Sequence, residues 1–193
     1  PLRTPDSYIE ELLAQKSEWI RQTQAKFIES NTLYPPITCK EGEWLPYLGQ
    51  NYQLEYSEYA QEIMTGDNRL LIPARVENVK ASVADWYKQR AKEVIGERLE
   101  LYAEQLGLHY KSMRITSATR RWGSCSTKRT INFSWRLVMC PLPVIDYVVV
   151  HELCHLKQHN HSPAFWQAVE EIVPDYQAQR TWLADNQRLM DIL

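Results

Sequence analysis

The sequence predicts an α+β fold: a helix carrying a cluster of histidines, packed on a small sheet, with a β-rich lobe before it. Three observations predict it. Stretches 6–31 and 75–106 keep apolar residues at helical spacing. Between them, and again over 110–139, lie short runs rich in Tyr, Leu and β-branched residues, broken by Gly, Asn and Asp. The apolar run Val148-Val149-Val150 then leads into His151-Glu152-Leu153-Cys154-His155, whose chemistry makes sense on a helix.

Taken in order, Asp6 or Ser7 caps a first helix, with Tyr8, Ile9, Leu12, Leu13, Trp19, Ile20, Phe27 and Ile28 along one side. Pro35-Pro36 ends it. Turns at Glu41-Gly42, Leu48-Gly49 and Gly66-Asp67-Asn68 divide 33–73 into short strands. Residues 1–74 therefore read as an N-terminal helix and β-rich lobe, and 75–193 as a second domain. A long helix from Arg75 to Leu106, with Val76, Val79, Val83, Trp86, Tyr87, Val94, Leu99, Tyr102 and Leu106 inward, stops at Gly107. Tyr110 to Met139 supplies the second domain's sheet. Pro143 starts the histidine helix, and Ser162-Pro163 caps and opens another running to about Ile172. A last helix covers Tyr176 to about Met190.

His151 and His155 are i and i+4, one turn apart on one helix face, so their imidazoles can grip one ion at about 2.0 to 2.1 Å. Glu152 follows the first of them and can reach a water on that ion, which makes it the candidate general base. With 5 His in 193 residues, a chance H-E-x-x-H is expected on the order of 0.01 times. The pattern therefore outweighs its bland reading as packed histidines. Zn²⁺ is the expected cofactor, and a catalytic zinc needs a third protein ligand. His159 would lie about 12 Å along a continuous helix from His151, beyond the reach of one ion. His161 comes into range if the helix ends near Asn160 in a left-handed conformation. Glu170 or Glu171 on the next helix is the remaining option, behind His161.

The run His151 to Leu156, Asn160-His161-Ser162 with Phe165-Trp166, and Pro174-Asp175-Tyr176 resemble the YgjP-like family of zinc metallopeptidases, related to SprT-like and minimal gluzincin metalloproteases. Arg121-Trp122-Gly123-Ser124-Cys125-Ser126 and Ile131-Asn132-Phe133 fit the same family, as do Trp19-Ile20 and Pro46-Tyr47-Leu48-Gly49 more loosely. The resemblance implies a zincin-like catalytic lobe, with His151, His155 and His161 as ligands and Glu152 as catalyst. Arg121 and Asn132, inside these motifs, are candidates for contact with substrate or a developing oxyanion. The opening Pro1-Leu2-Arg3-Thr4-Pro5 resembles the end of a strand before the family's first helix.

At 44% hydrophobic the chain can bury one good core. It has no apolar run near the roughly 20 residues of a membrane helix and no signal-peptide pattern, so a cytoplasmic protein without membrane contact is expected. The scattered Cys39, Cys125, Cys140 and Cys154 read as reduced thiols in or near the core.

Net charge is −2, yet residues 105–145 hold no Asp or Glu and carry Lys111, Arg114, Arg120, Arg121, Lys128, Arg129 and Arg136. That stretch is either a solvated strand face or a site for nucleic acid or another anionic partner through Lys111, Arg114, Arg120, Arg121, Lys128 and Arg129. The expected activity is hydrolysis of a peptide or protein, with Thr130 to Leu137 either as the strand along which an extended substrate lies or as an interior strand that packs on the metal helix. Two alternatives are a metal-dependent hydrolase of nucleoside triphosphates, its arginines holding phosphates, and a DNA-associated SprT-like protease.

Overall fold

The computed structural model describes residues 4–33 and 35–193. Of the strand end expected at Pro1-Leu2-Arg3-Thr4-Pro5, the first three residues lie outside the described residues, as does the side chain of Phe27, and Thr4 and Pro5 are not in a strand. The chain divides into two compact units, 1–36 and 37–193.

The first unit is one helix, α1 (Asp6–Leu33), with Asp6 in its first turn. The apolar spacing here makes a helix without making a core: Tyr8, Ile9, Leu12, Leu13, Trp19 and Ile28 are all exposed.

The second unit holds every other element, and the expected boundary between 74 and 75 falls inside it. Strands β1 (Trp44–Tyr47), β2 (Gln50–Ser57), β3 (Met64–Gly66) and β4 (Arg69–Pro73) form a sheet in the order β1-β2-β4-β3. Only β2 and β4 run parallel. Both hairpin turns use consecutive residues of positive φ, Leu48-Gly49 and Asp67-Asn68, the geometry that matches strand twist. The first hairpin tip is clamped, because Leu48 and Gly49 donate their N–H groups to the carbonyls of Val138 and Met139. A Cβ on Gly49 would also lie 2.8 Å from the Pro141 ring. This hairpin thus fixes the segment that enters the histidine helix.

Helix α2 (Val79–Gln105) begins at Asn78, whose side chain accepts the Ala81 N–H at 3.1 Å, and not at Arg75. Its buried stripe is Val83, Tyr87, Ala91, Ile95, Leu99 and Ala103. Trp86, Val94, Tyr102 and Leu106, expected inward, are half-buried. Tyr87 stacks on Trp135 at 5.6 Å and donates its hydroxyl to the Pro46 carbonyl at 2.7 Å, tying the β-rich sheet to the rest.

A second sheet, ordered β5-β7-β6, contains β5 (Ser112–Thr116), β6 (Gly123–Cys125) and β7 (Thr130–Ser134). β5 is parallel and β6 antiparallel to β7. A 3-10 turn at Trp135–Met139 follows, then α3 (Leu142–Cys154), α4 (Pro163–Glu170), α5 (Tyr176–Asp185) and a closing 3-10 turn, Gln187–Met190. The last helix is therefore shorter than the expected span to Met190. On α3, Val144, Ile145, Tyr147, Val148, Val149 and Val150 are all buried. Asp146 accepts two hydrogen bonds from Arg98 of α2, at 2.5 and 2.8 Å, fixing the rotation of the helix. No helix among the described residues is long and apolar enough to cross a membrane.

Candidate metal centre

Helix α3 ends at Cys154, earlier than the expected break near Asn160. Residues 155–158 leave through a turn in which Leu156 donates to Leu153, and Lys157 and Gln158 donate to Cys154. Asn160 is not left-handed; the reversal is made by that turn. Ser162 then accepts the Phe165 N–H at 3.3 Å and Pro163 opens α4, as its sequence predicts.

The reversal brings His161 back onto His151 and His155. Ligand-capable atoms of the three residues lie within 4.8 Å of one another, and Nε2 of His161 is 3.1 Å from Nε2 of His151. Two nitrogens bound at roughly 2.0 Å to a tetrahedral zinc stand about 3.3 Å apart, so the spacing fits such an ion. His155 donates Nδ1–H to the Gln158 carbonyl at 2.9 Å, which leaves Nε2 as the lone-pair atom, the usual arrangement for a metal-binding imidazole. Burial, then the neighbouring His155 and His161, pushes His151 down to about 3, so it is neutral at physiological pH. Burial lowers His155 as well. Neither Glu170 nor Glu171 joins the cluster, and His159 is exposed outside it.

Phe165 forms the floor. Its ring lies 4.9, 4.6 and 4.9 Å from those of His151, His155 and His161, and it is fully buried. Trp166 stacks on His161 at 5.4 Å and on Tyr176 at 5.3 Å, and Tyr147 stacks on Tyr176 in turn. The sequence signal for this support was the Phe165-Trp166 pair just after the Ser162-Pro163 cap.

Glu152 is buried, and desolvation raises it to about 8 against the opposing pull of Arg121. Its Oε2 has no hydrogen-bond partner. Strand β6 packs against it so closely that a Cβ on Gly123 would stand 2.6 Å from Oε1. Only glycine leaves room for the carboxylate there.

That contact sets the faces of the small sheet. Gly123 pairs with Phe133 and Cys125 with Ile131, on the side of α3, while Ser124 pairs with Asn132 on the other side. Asn132 donates to the Ser124 hydroxyl at 3.2 Å and points away from Glu152. Asn132, expected as a substrate or oxyanion contact, therefore sits on the face of the sheet away from Glu152. Of the two readings of Thr130 to Leu137, the interior strand is the one formed. β7 ends at Ser134 and is the central strand, paired on both sides. The edge beside Glu152 is β6. Trp122 accepts from Ser134 N–H and Ser126 donates to Thr130, so the main chain of Ser124 also faces β7. The N–H and C=O groups of Gly123 and Cys125 consequently face the open edge.

Arg121 is exposed just before β6 and its charge acts on Glu152. Arg136, by contrast, is buried over Trp135 and bonded to the carbonyls of Ser117 and Leu193, so it contributes nothing to a positive surface. Lys111, Arg114, Arg120, Lys128 and Arg129 are exposed with Arg121. All four cysteines are free thiols, with only Cys125 part-exposed.

A family model described as YgjP-like, metallopeptidase domain, matches residues 1–186. The chain is similar to the UTP pyrophosphatase of Escherichia coli (strain K12), 29% identical over 96 residues that make up 48% of this chain and 54% of that protein. It thus spans about half the length of that curated relative. Among solved structures, the metallopeptidase zymogen of Pyrococcus abyssi abylysin is similar with 25% identity and a TM-score of 0.44, over 48% of this chain and 95% of that one.

Proposed function

The chain belongs to the YgjP-like metallopeptidase family, and from that premise we propose that it is a zinc-dependent peptidase. The observation that carries the reading is the free edge of β6 beside the buried Glu152. An extended peptide added to that edge gains main-chain hydrogen bonds from Gly123 and Cys125, which brings its carbonyls past the reactive groups. His151, His155 and His161 would hold the metal, and a bound zinc supplies Lewis-acid polarisation of a carbonyl and a water of lowered pKa.

Glu152 does the proton work. A carboxylate Oε accepts a proton from the attacking water and later delivers it to the leaving amine. In the metal-free chain burial raises its proton affinity, and the charge of a bound zinc would act in the opposite direction, toward the carboxylate that a general base requires. Gly123 keeps the carboxylate in place, since nothing bulkier fits against it. Arg121, exposed at the start of β6, is the candidate for stabilising the developing oxyanion.

The test is a panel of unstructured proteins and peptides incubated with zinc-loaded enzyme, with Glu152→Gln beside it. Cleavage by the wild type is expected, with a loss of about 10³-fold or more in the variant, which keeps its zinc. Equal turnover in Glu152→Gln would refute the mechanism. One observation favours a second reading: the curated relative is named a UTP pyrophosphatase. On that reading the arginines of the basic segment, Arg121 beside Glu152 among them, hold phosphates. Hydrolysis of UTP with magnesium or manganese, and of no peptide, would select it, because three histidines suit zinc better than those ions.

A further inference from the structure

The aromatic wall of the metal centre, Trp166 and Tyr176, carries a cation that the chemistry above does not use. On α5, Tyr176 and Arg180 are i and i+4, on one face of the helix. Both meet Trp166: the buried Tyr176 ring stacks at 5.3 Å, and the Arg180 guanidinium lies over the indole at 5.1 Å from its centre. The same indole stacks on His161 and lies 5.9 Å from the ring of His151. Arg180 is therefore one ring removed from two candidate metal ligands.

This arginine is exposed, and among the described residues no carboxylate pairs with it. Stacking on an indole fixes the plane of a guanidinium while leaving its N–H edges free, the arrangement that suits two-pronged binding of a carboxylate. The surroundings favour an anion. The charge of Arg180 reaches His151 and Tyr147, and that of Arg121 reaches Glu152.

We propose that Arg180 is a specificity-determining residue that binds an acidic side chain of the substrate close to the scissile bond. The proposal rests on the peptidase reading for the nature of the substrate, and its test separates the two. Binding is measured first, by fluorescence anisotropy of labelled peptides on zinc-loaded Glu152→Gln, which holds substrate without cutting it. A peptide with Asp placed in turn at each position around the cleaved bond should bind about tenfold more tightly at one position than its Asn counterpart. Adding Arg180→Gln should bring that ratio close to one, and Arg180→Glu should invert it in favour of a Lys peptide. The same ratios in kcat/KM are then read in the active enzyme.

A merely structural Arg180 would weaken Asp and Asn peptides alike, and an unchanged ratio in Arg180→Gln would overturn the proposal. So would loss of the ratio in Arg121→Gln with its retention in Arg180→Gln, which would place the anchor on β6. If UTP displaces the labelled peptide and Arg180→Gln weakens UTP alone, the group recognised is a phosphate and the acidic-peptide assignment falls. If peptides bind with the expected ratio but none is cut by the wild type, the peptidase mechanism fails while the anchor stands.

Discussion

The two faces of the β5-β7-β6 sheet are made by alternate residues of the same strands, yet they answer to different constraints. On the inner face Gly123, Ile131 and Phe133 meet α3, and the space is so restricted that one residue must lack a side chain to admit a carboxylate. On the outer face Ser124, Asn132, Arg114, Ser112 and Thr130 form a polar surface, with Asn132 bonded to Ser124 and Ser112 to Thr130. Burial decides identity on the first face and solvation on the second. Neighbouring positions in the chain should therefore differ sharply in what they tolerate, and the same contrast extends to the loop after α3, where His161 turns in and His159 out.

The largest expected effect separates those two histidines. Replacing His161 with Ala should lower zinc affinity by about 10²-fold or more, since it removes one of three converging nitrogens. His159→Ala should change it less than about twofold, and competition with a fluorescent chelator measures both. Equal losses would erase the distinction.

The next contrast lies within β6. Gly123→Ala drives a methyl group into Glu152, 2.6 Å from Oε1 and 2.8 Å from Cγ, at an overpacking cost of about 1 to 3 kcal/mol. Displacing the base should lower kcat by about tenfold to a hundredfold while zinc content stays full. Ser124→Ala, one residue on, loses a hydroxyl that accepts from Asn132 on the outer face and should cost less than threefold. A zinc-loaded Gly123→Ala with normal kcat would mean that β6 does not position Glu152.

A smaller effect reads the inner face through pH. His151 is lowered from 6.5 to about 3, so as pH falls across that window the unfolded chain takes up a proton that the folded chain refuses, and stability drops. Glu152 is raised from 4.5 to about 8, so the folded chain holds a proton that the unfolded chain has lost, and stability drops as pH rises across that window. Metal-free protein should accordingly lose stability on both flanks of pH 4.5 to 6.5 through these two groups. Urea midpoints of chelated protein should show Glu152→Gln gaining on the wild type between pH 5 and 8, because the amide has no proton to lose. A difference that stays constant with pH would contradict a raised Glu152.

How legible each face was in the sequence follows from how local its signal is. His151, Glu152 and His155 are set by helix spacing, and the Ser162-Pro163 cap locates α4, so the cluster could be read from a dozen consecutive residues. Strand parity and strand order are not local. Asn132 was expected near the metal because its motif is, but its face is set by pairing with Ser124 and by the contact of Gly123 with Glu152. Likewise the edge role of β6 depends on β7 pairing with β5, whose partner residues are 18 positions apart in the chain. Arg180 lies outside the motifs, four residues after Tyr176; its place is visible only once α5 packs against Trp166. The helical pattern of α1 predicted a helix, as found, and left its burial open, since periodicity specifies which side is apolar and not what covers it.

The last contrast concerns charge on the outward side. Arg114 shares its face with Asn132, and Lys111, Arg120, Arg121, Lys128 and Arg129 are exposed in the segments around it, whereas Arg136 is internal. Lys128 and Arg129 occupy the turn between β6 and β7, where Arg129 has φ 61 and donates to the His109 carbonyl. If these cations meet nucleic acid, each phosphate neutralised releases counterions, and affinity for a DNA duplex should fall steeply as salt rises. Charge reversal at Lys128, which leaves the Arg129 contact intact, should then weaken DNA binding severalfold for every sequence and shallow the salt slope by about one unit. Zinc content and cleavage of a short neutral peptide should not change, because Lys128 lies outside the metal centre. Binding that ignores salt, or that survives the reversal at full strength, would assign the outer face to solvation alone and leave the chemistry of this sheet entirely to its inner side.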